Sequence, residues 1–214
     1  VSATQTDAAG NAQTVTASTT SFTLDTLAPS APTLALGAGV SNGATSSEAT
    51  QAGGVVTVTG ESGASINVTF TRGANTVTKT LTGTGSSQGV VLTSGDLTTL
   101  GDGLISVSAT QTDAAGNAQT VTASTTSFTL DTLAPTTGTL SLANYTDSGS
   151  SSTDFISTDN SFRLTLSGNE AGSSSVYVVS TDNGATWTST NATLNDLPDA
   201  TYQYKSIVTD AAGN

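Results

Sequence analysis

Short runs in which apolar and polar residues alternate cover most of the chain. Val55 to Thr59, Ile66 to Thr71 and Leu104 to Gln111 place every second residue on a common face, the period of a half-buried β-strand. Runs of the same kind lie near Thr33 to Leu36, Thr76 to Leu81, Val90 to Leu92 and Thr120 to Leu130. Gly53-Gly54, Arg72-Gly73, Gly83 to Gly85 and Asp102-Gly103 separate them, and glycine supplies the backbone freedom that tight turns need. No segment shows a helical period. The pattern predicts seven strands, A to G, between residues 30 and 135. It repeats with different letters further on, with Phe162 to Leu166 as B, Val176 to Ser180 as C and Tyr202 to Val208 as F. Asp182-Asn183-Gly184 predicts a tight hairpin, because a type I′ turn needs positive φ at both central residues.

The chain also repeats itself. Val1 to Pro29 and Val107 to Pro135 share the same 29 letters at an offset of 106, and the hexapeptide TDAAGN of Thr112 to Asn117 returns at Thr209 to Asn214. A period near 100 residues is too long for a solenoid coil or propeller blade and matches one immunoglobulin-sized sandwich of about seven strands. The fold class expected is all-β, as tandem Greek-key sandwiches. Both LDTLAP segments, Leu24 to Pro29 and Leu130 to Pro135, read as linkers stiffened by proline. Residues 1–29 are then the last two strands of a preceding repeat plus a linker, 30–135 a complete repeat, and 136–214 a repeat lacking its last strand.

Composition sharpens this picture. Leu, Ile, Val and Phe number 42 of 214, close to the roughly 20% at which a charged chain is suspected of disorder. The alternating Thr and Val runs instead favour thin-cored strands. With 16 Asp and Glu against 4 Lys and Arg, a net charge of -12 disfavours nucleic acid and anionic lipid as partners. No run of about 18 apolar residues is present to insert in a membrane. The chain opens in mid-pattern, as an excised segment is expected to. Without Cys, His or Met there are no disulfides, soft-metal ligands or His and Cys catalytic groups, so no enzyme is expected.

TDAAGN followed one strand later by LDTLAP resembles the bacterial immunoglobulin-like repeats of giant, type I-secreted adhesins. SGNEAG, STDNGATW and YQYKSIVTDAAGN in the last repeat continue the likeness in order and spacing. The resemblance implies a secreted extender module of a rod at the bacterial surface, with calcium at the junctions between neighbouring repeats, serving adhesion or biofilm formation. Topology suggests ligands independently, since the start of A, the B–C turn and the F–G loop share one pole of such a sandwich. Those segments carry Asp25, Glu61, Asp113 and Asn117 in the complete repeat, and Asp131, Glu170, Asp210 and Asn214 in the next. Asp7 and Asn11 hold the same loop positions in the first copy, and Asp102 faces the following repeat from the opposite pole. An all-oxygen set suits calcium, which takes 6 to 8 such ligands at about 2.3 to 2.6 Å. The competing reading is that each Asp only caps its own turn. Asp96, Asp102, Asp147 and Asp154 are ambiguous between ligand and solvated charge.

Ser180 to Trp187 matches the S-x-D-x-G-x-x-W hairpin motif and reads as structural, and Tyr202 reads as a tyrosine corner. NVT, NYT and NAT at Asn67, Asn144 and Asn191 are expected by chance in a Thr-rich chain. The leading function is a calcium-stiffened stalk. A sugar- or protein-binding module is the alternative, as is a fibre subunit in which residues 12–24 complete the last repeat of another molecule by head-to-tail strand addition.

Overall fold

A computed structural model describes residues 1–16, 18–120 and 123–214. Among the described residues the protein is all-β apart from two short helices and one 3-10 turn. It begins with a small hairpin, β1 (Ser2–Ala3) and β2 (Ser18–Thr19), in which Ser2 faces Thr19 and Ala3 faces Ser18. A first pair of sheets follows. The smaller contains β3 (Thr33–Leu36), β4 (Val56–Thr59) and β7 (Gln88–Val90), in that order. The larger runs β6 (Asn75–Thr82), β5 (Ser65–Arg72), β8 (Gly103–Thr112), β9 (Ser124–Leu130). Neighbouring strands within both sheets are antiparallel.

Alternation dictates what these sheets bury. Ile66, Val68 and Phe70 on β5 and Ile105, Val107 and Ala109 on β8 point inward and meet Val56, Val58 and Val90 of the facing sheet in one apolar cluster. Phe70 and Phe128 meet edge to face at 6.4 Å. A fully buried side chain of this size contributes about 1.5–3 kcal/mol. The inward row of β8 ends on a polar residue, Gln111, which is also buried.

A second pair of sheets comprises β10 (Thr139–Ala143), β11 (Phe162–Ser167) and β14 (Thr193–Leu194) opposite β13 (Thr188–Thr190), β12 (Ser174–Ser180) and β15 (Gln203–Thr209). Its core is smaller, with Phe162, Leu164 and Leu194 buried and Tyr145, Tyr177 and Tyr204 packed around them.

Two expectations need correction. Helices do occur, at α1 (Ser46–Ala49) and α2 (Ser94–Leu100), each opened by a capping box, Thr45 with Glu48 and Thr93 with Asp96. At four and seven residues they are too short for a period to register, and the Thr-x-x-acid start was the available signal. The strand expected near Val90 to Leu92 ends at Val90, and buried Leu92 leads into α2 with its N–H on the Ala49 carbonyl at 3.2 Å. The strand expected from Thr120 is described only from Ser124, with Val121 and Thr122 outside the described residues. Asn183 and Gly184 do take positive φ, at 60° and 86°, and Ala185 N–H closes that turn on Asp182. They sit inside a wider connection between Ser180 and Thr188, because the S-x-D-x-G-x-x-W motif folds there.

Candidate functional site

The recurring hexapeptide forms one closed loop three times. In the middle copy Asp113 Oδ1 accepts the N–H groups of Ala115 at 2.9 Å and Asn117 at 2.8 Å, while Oδ2 accepts Asn117 Nδ2 at 2.8 Å. In the first copy Asp7 receives Ala9 and Asn11 N–H and Asn11 Nδ2 in the same way. The last copy shifts one bond. Asp210 Oδ1 accepts Gly213 and Asn214 N–H, and Oδ2 accepts Asn214 Nδ2 at 3.0 Å. A carboxylate surrounded by N–H donors is stabilised in its charged form. The Asn117 side chain foremost holds Asp113 below the usual carboxylate range, and the Asn11 side chain does the same for Asp7. Burial pushes Asp210 up, but the Asn214 hydrogen bonds outweigh it and its carboxyl also lies low.

Each of the last two loops grips a linker. Asn117 Nδ2 donates to the carbonyl of Asp25 at 3.2 Å, and Asn214 Nδ2 donates to the carbonyl of Asp131 at 3.0 Å. Asp131 is held from the other side as well, its N–H on the Ala44 carbonyl at 2.9 Å. Beside it, Asp102 Oδ1 accepts the N–H and hydroxyl of Thr132 at 3.1 and 2.9 Å, which places Asp102 against the second linker.

Glu61 and Glu170 occupy the turns after β4 and β11 and approach the chain just past each linker by different routes. Glu170 bonds there directly, its N–H on Thr136 O at 3.1 Å, while Thr136 N–H reaches Glu170 Oε2 at 3.4 Å. In the earlier repeat the Gln111 side chain stands between the two segments. It accepts Glu61 N–H at 3.0 Å and donates to Ser30 O at 2.6 Å. Val208 occupies the corresponding place before the last hexapeptide and has no polar side chain to insert. Sequence reasoning missed Gln111. A polar residue ending an inward-facing apolar row was the signal.

Among the described residues, no group of three or more Asp and Glu side chains is drawn together so that it could hold a metal ion. Asp113 and Asp210 spend both carboxylate oxygens on their own loops, as the turn-capping reading requires. At the carboxylates of Asp25, Asp102 and Asp131 the hydrogen bonds fall on Oδ1 alone, and at that of Glu170 on Oε2. Asp25, Glu61 and Glu170 are exposed, and each has oxygen donors left for solvent or a cation. Asp96 is engaged in the α2 cap and in an ion pair with Lys79. Asp147 and Asp154 accept Phe155 and Ile156 N–H within their own loop.

The remaining motifs are structural. Ser180 Oγ bonds Asp182 Oδ1 at 2.7 Å and accepts Gly184 N–H at 2.8 Å, Thr186 closes on Asp182, and Trp187 Nε1 donates to Gly184 O. Lys205 lies over the Trp187 ring at 4.1 Å. Tyr202 donates its hydroxyl to Pro198 O at 2.8 Å, the tyrosine-corner contact.

No protein-family model matches the chain, and no curated protein matches it. Among solved structures it is similar to a Ca2+-stabilized adhesin that helps an Antarctic bacterium reach out and bind ice, at 24% identity and a TM-score of 0.45. It is also similar to a tetra-tandem repeat in the extending region of a large adhesion protein, at 22% identity and a TM-score of 0.37. The likeness covers 100% of this chain in both cases, and the chain spans about half of each, 52% and 53%.

Proposed function

We propose that this chain is a run of immunoglobulin-like repeats serving as the extender of a large secreted surface adhesin, without catalytic activity, and that calcium stiffens its joints. The observation that carries the reading is the recurring joint. At two places about 100 residues apart, the Asn ending a TDAAGN loop donates to the carbonyl of a linker Asp, at 3.2 and 3.0 Å. A contact built twice from the same letters serves the connection between repeats better than a ligand found once. Strand order supports the immunoglobulin-like part, with A-B-E facing C′-C-F-G in the first sandwich and A-B-E facing C′-C-F in the second.

Calcium would be held at the first joint by Asp25, Glu61, Asp113 and Asn117, at the second by Asp131, Glu170, Asp210 and Asn214, with Asp102 beside Thr132. Asp7 and Asn11 repeat the loop half of the first set. All donors are oxygen, the ligand type this cation prefers. Bringing the exposed carboxylates of Asp25 and Glu61 to a common point is unfavourable without a cation, and so ties rigidity to calcium. Thermal unfolding in excess calcium and in EGTA tests this. A cation bound only by the folded state contributes about 2.7 kcal/mol per site at a hundredfold excess over Kd. Superimposable melting curves would remove calcium from the reading.

One observation favours a second reading, a ligand-binding patch in the last repeat. Phe155 and Ile156 are 73% and 74% exposed, and the Phe155 ring stacks on Tyr145 at 6.2 Å. Exposed apolar groups in contact mark interaction surfaces.

A further inference from the structure

The last hexapeptide loop touches more than a linker. Asn42, ending the 3-10 turn over Val40–Asn42 in the first sandwich, donates its Nδ2 to Ala211 O at 3.1 Å and to Ala212 O at 3.4 Å. Gly43 follows with φ 117°, and a Cβ placed there would stand only 3.1 Å from the Ala212 methyl. Ala212 is 5% exposed as a result. Ala115 holds the same place in the middle loop, which closes on its own Asp in similar fashion, yet Ala115 is exposed. Burial of Ala212 therefore comes from what it sits against.

We propose that Ala212 seated on Asn42-Gly43 is a lock that fixes the second sandwich against the first without any cation. This deepens the extender reading and rests on it, but concerns a separate contact, which sets the angle of the second joint while calcium raises its stability. Its parts are a methyl group, a backbone cleft opened by a glycine, and two amide-to-carbonyl hydrogen bonds, none of which changes charge or needs a metal. A small apolar tooth fits because the facing residue lacks a side chain. A larger or charged residue at 212 must lift the loop off its seat, losing the Asn42 bonds together with the packing. The lock and the linker bond from Asn214 to Asp131 lie on one loop, so the two contacts oppose rotation about the LDTLAP segment together.

The chain has no cysteine, so spin labels at Thr76→Cys on β6 and Ser189→Cys on β13 report the distance between the sandwiches. Pulsed dipolar spectroscopy on the full chain in EGTA is expected to give one narrow distance distribution. Ala212→Glu and, independently, Asn42→Ala should lose it, while Ala115→Glu at the exposed equivalent should keep it. Circular dichroism establishes that each variant retains its strands, and the two variants act from opposite sides of the contact. A broad distribution for the parent chain in EGTA, or a narrow one in both lock variants, overturns the proposal. A width that narrows only on adding calcium also overturns the lock while supporting the calcium reading. A narrow width in EGTA with melting curves indifferent to calcium does the reverse.

Discussion

Replacing Gln111 with Leu should weaken the first sandwich through its pole and leave the second untouched. Gln111 is 3% exposed at the end of the inward row of β8, and its side chain joins Glu61 N–H at 3.0 Å to Ser30 O at 2.6 Å. Leu has nearly the same volume and keeps the row filled, so the loss is chiefly of two hydrogen bonds. Ser30 and Glu61 are themselves exposed, so water can reach the freed groups and the cost stays near the net value of the bonds. At about 0.5–1.5 kcal/mol each, the two come to about 2 kcal/mol. For a unit near 100 residues this lowers Tm by about 8–16 °C. Scanning calorimetry should show the transition of the first sandwich displaced and that of the second, where Val208 stands at this place, unmoved. A shift under about 2 °C would refute the reasoning. It would mean that the pole closes onto a direct Glu61-to-Ser30 bond, the arrangement Glu170 and Thr136 already show at 3.1 Å.

Asp182 is held down to about 2 by the Thr186 hydroxyl, then by Thr186 N–H and the Ser180 hydroxyl. Its folded value lies below its unfolded one, so its contribution is complete above the ordinary carboxylate range and lost as pH falls toward 2. A carboxyl carbon titration by NMR should place its midpoint near 2, and a midpoint at the ordinary aspartate value of 3.8 would contradict the turn geometry. Asp96→Ala should cost about 1–2 kcal/mol because it removes the α2 capping box as well as the ion pair. Lys79→Ala removes only the partly exposed pair and should cost under about 1 kcal/mol. Equal losses in urea unfolding would show that the cap adds nothing.

Much was legible in the letters. Alternation located β4, β5, β6 and β8 within a residue or two, because a strand that buries one face must write its period into the sequence. The self-match at 106 exposed the repeat, and TDAAGN marked a loop whose closing hydrogen bonds, those to its own Asp, are local to six residues. Short helices escaped, since four to seven residues carry caps but no period. Asn42, Gly43 and Gln111 escaped because their partners lie 170, 169 and 50 to 81 residues away, and no local pattern encodes such a distance.

The 29 letters that occur twice separate the two kinds of information most cleanly. Ser2 pairs with Thr19 as Ser108 pairs with Thr125, and Thr6 bridges Ala12 as Thr112 bridges Ala118, so the hairpin and its register follow from sequence alone. Burial does not. Phe128 and Leu130 are 4% and 1% exposed, and nothing in the local pattern names the residues that cover them. Register is set by local turn chemistry and hydrogen bonds that each copy carries within itself. Burial requires a second surface, and around Phe128 the tertiary structure brings Val56, Val58 and the rest of a facing sheet against the strand.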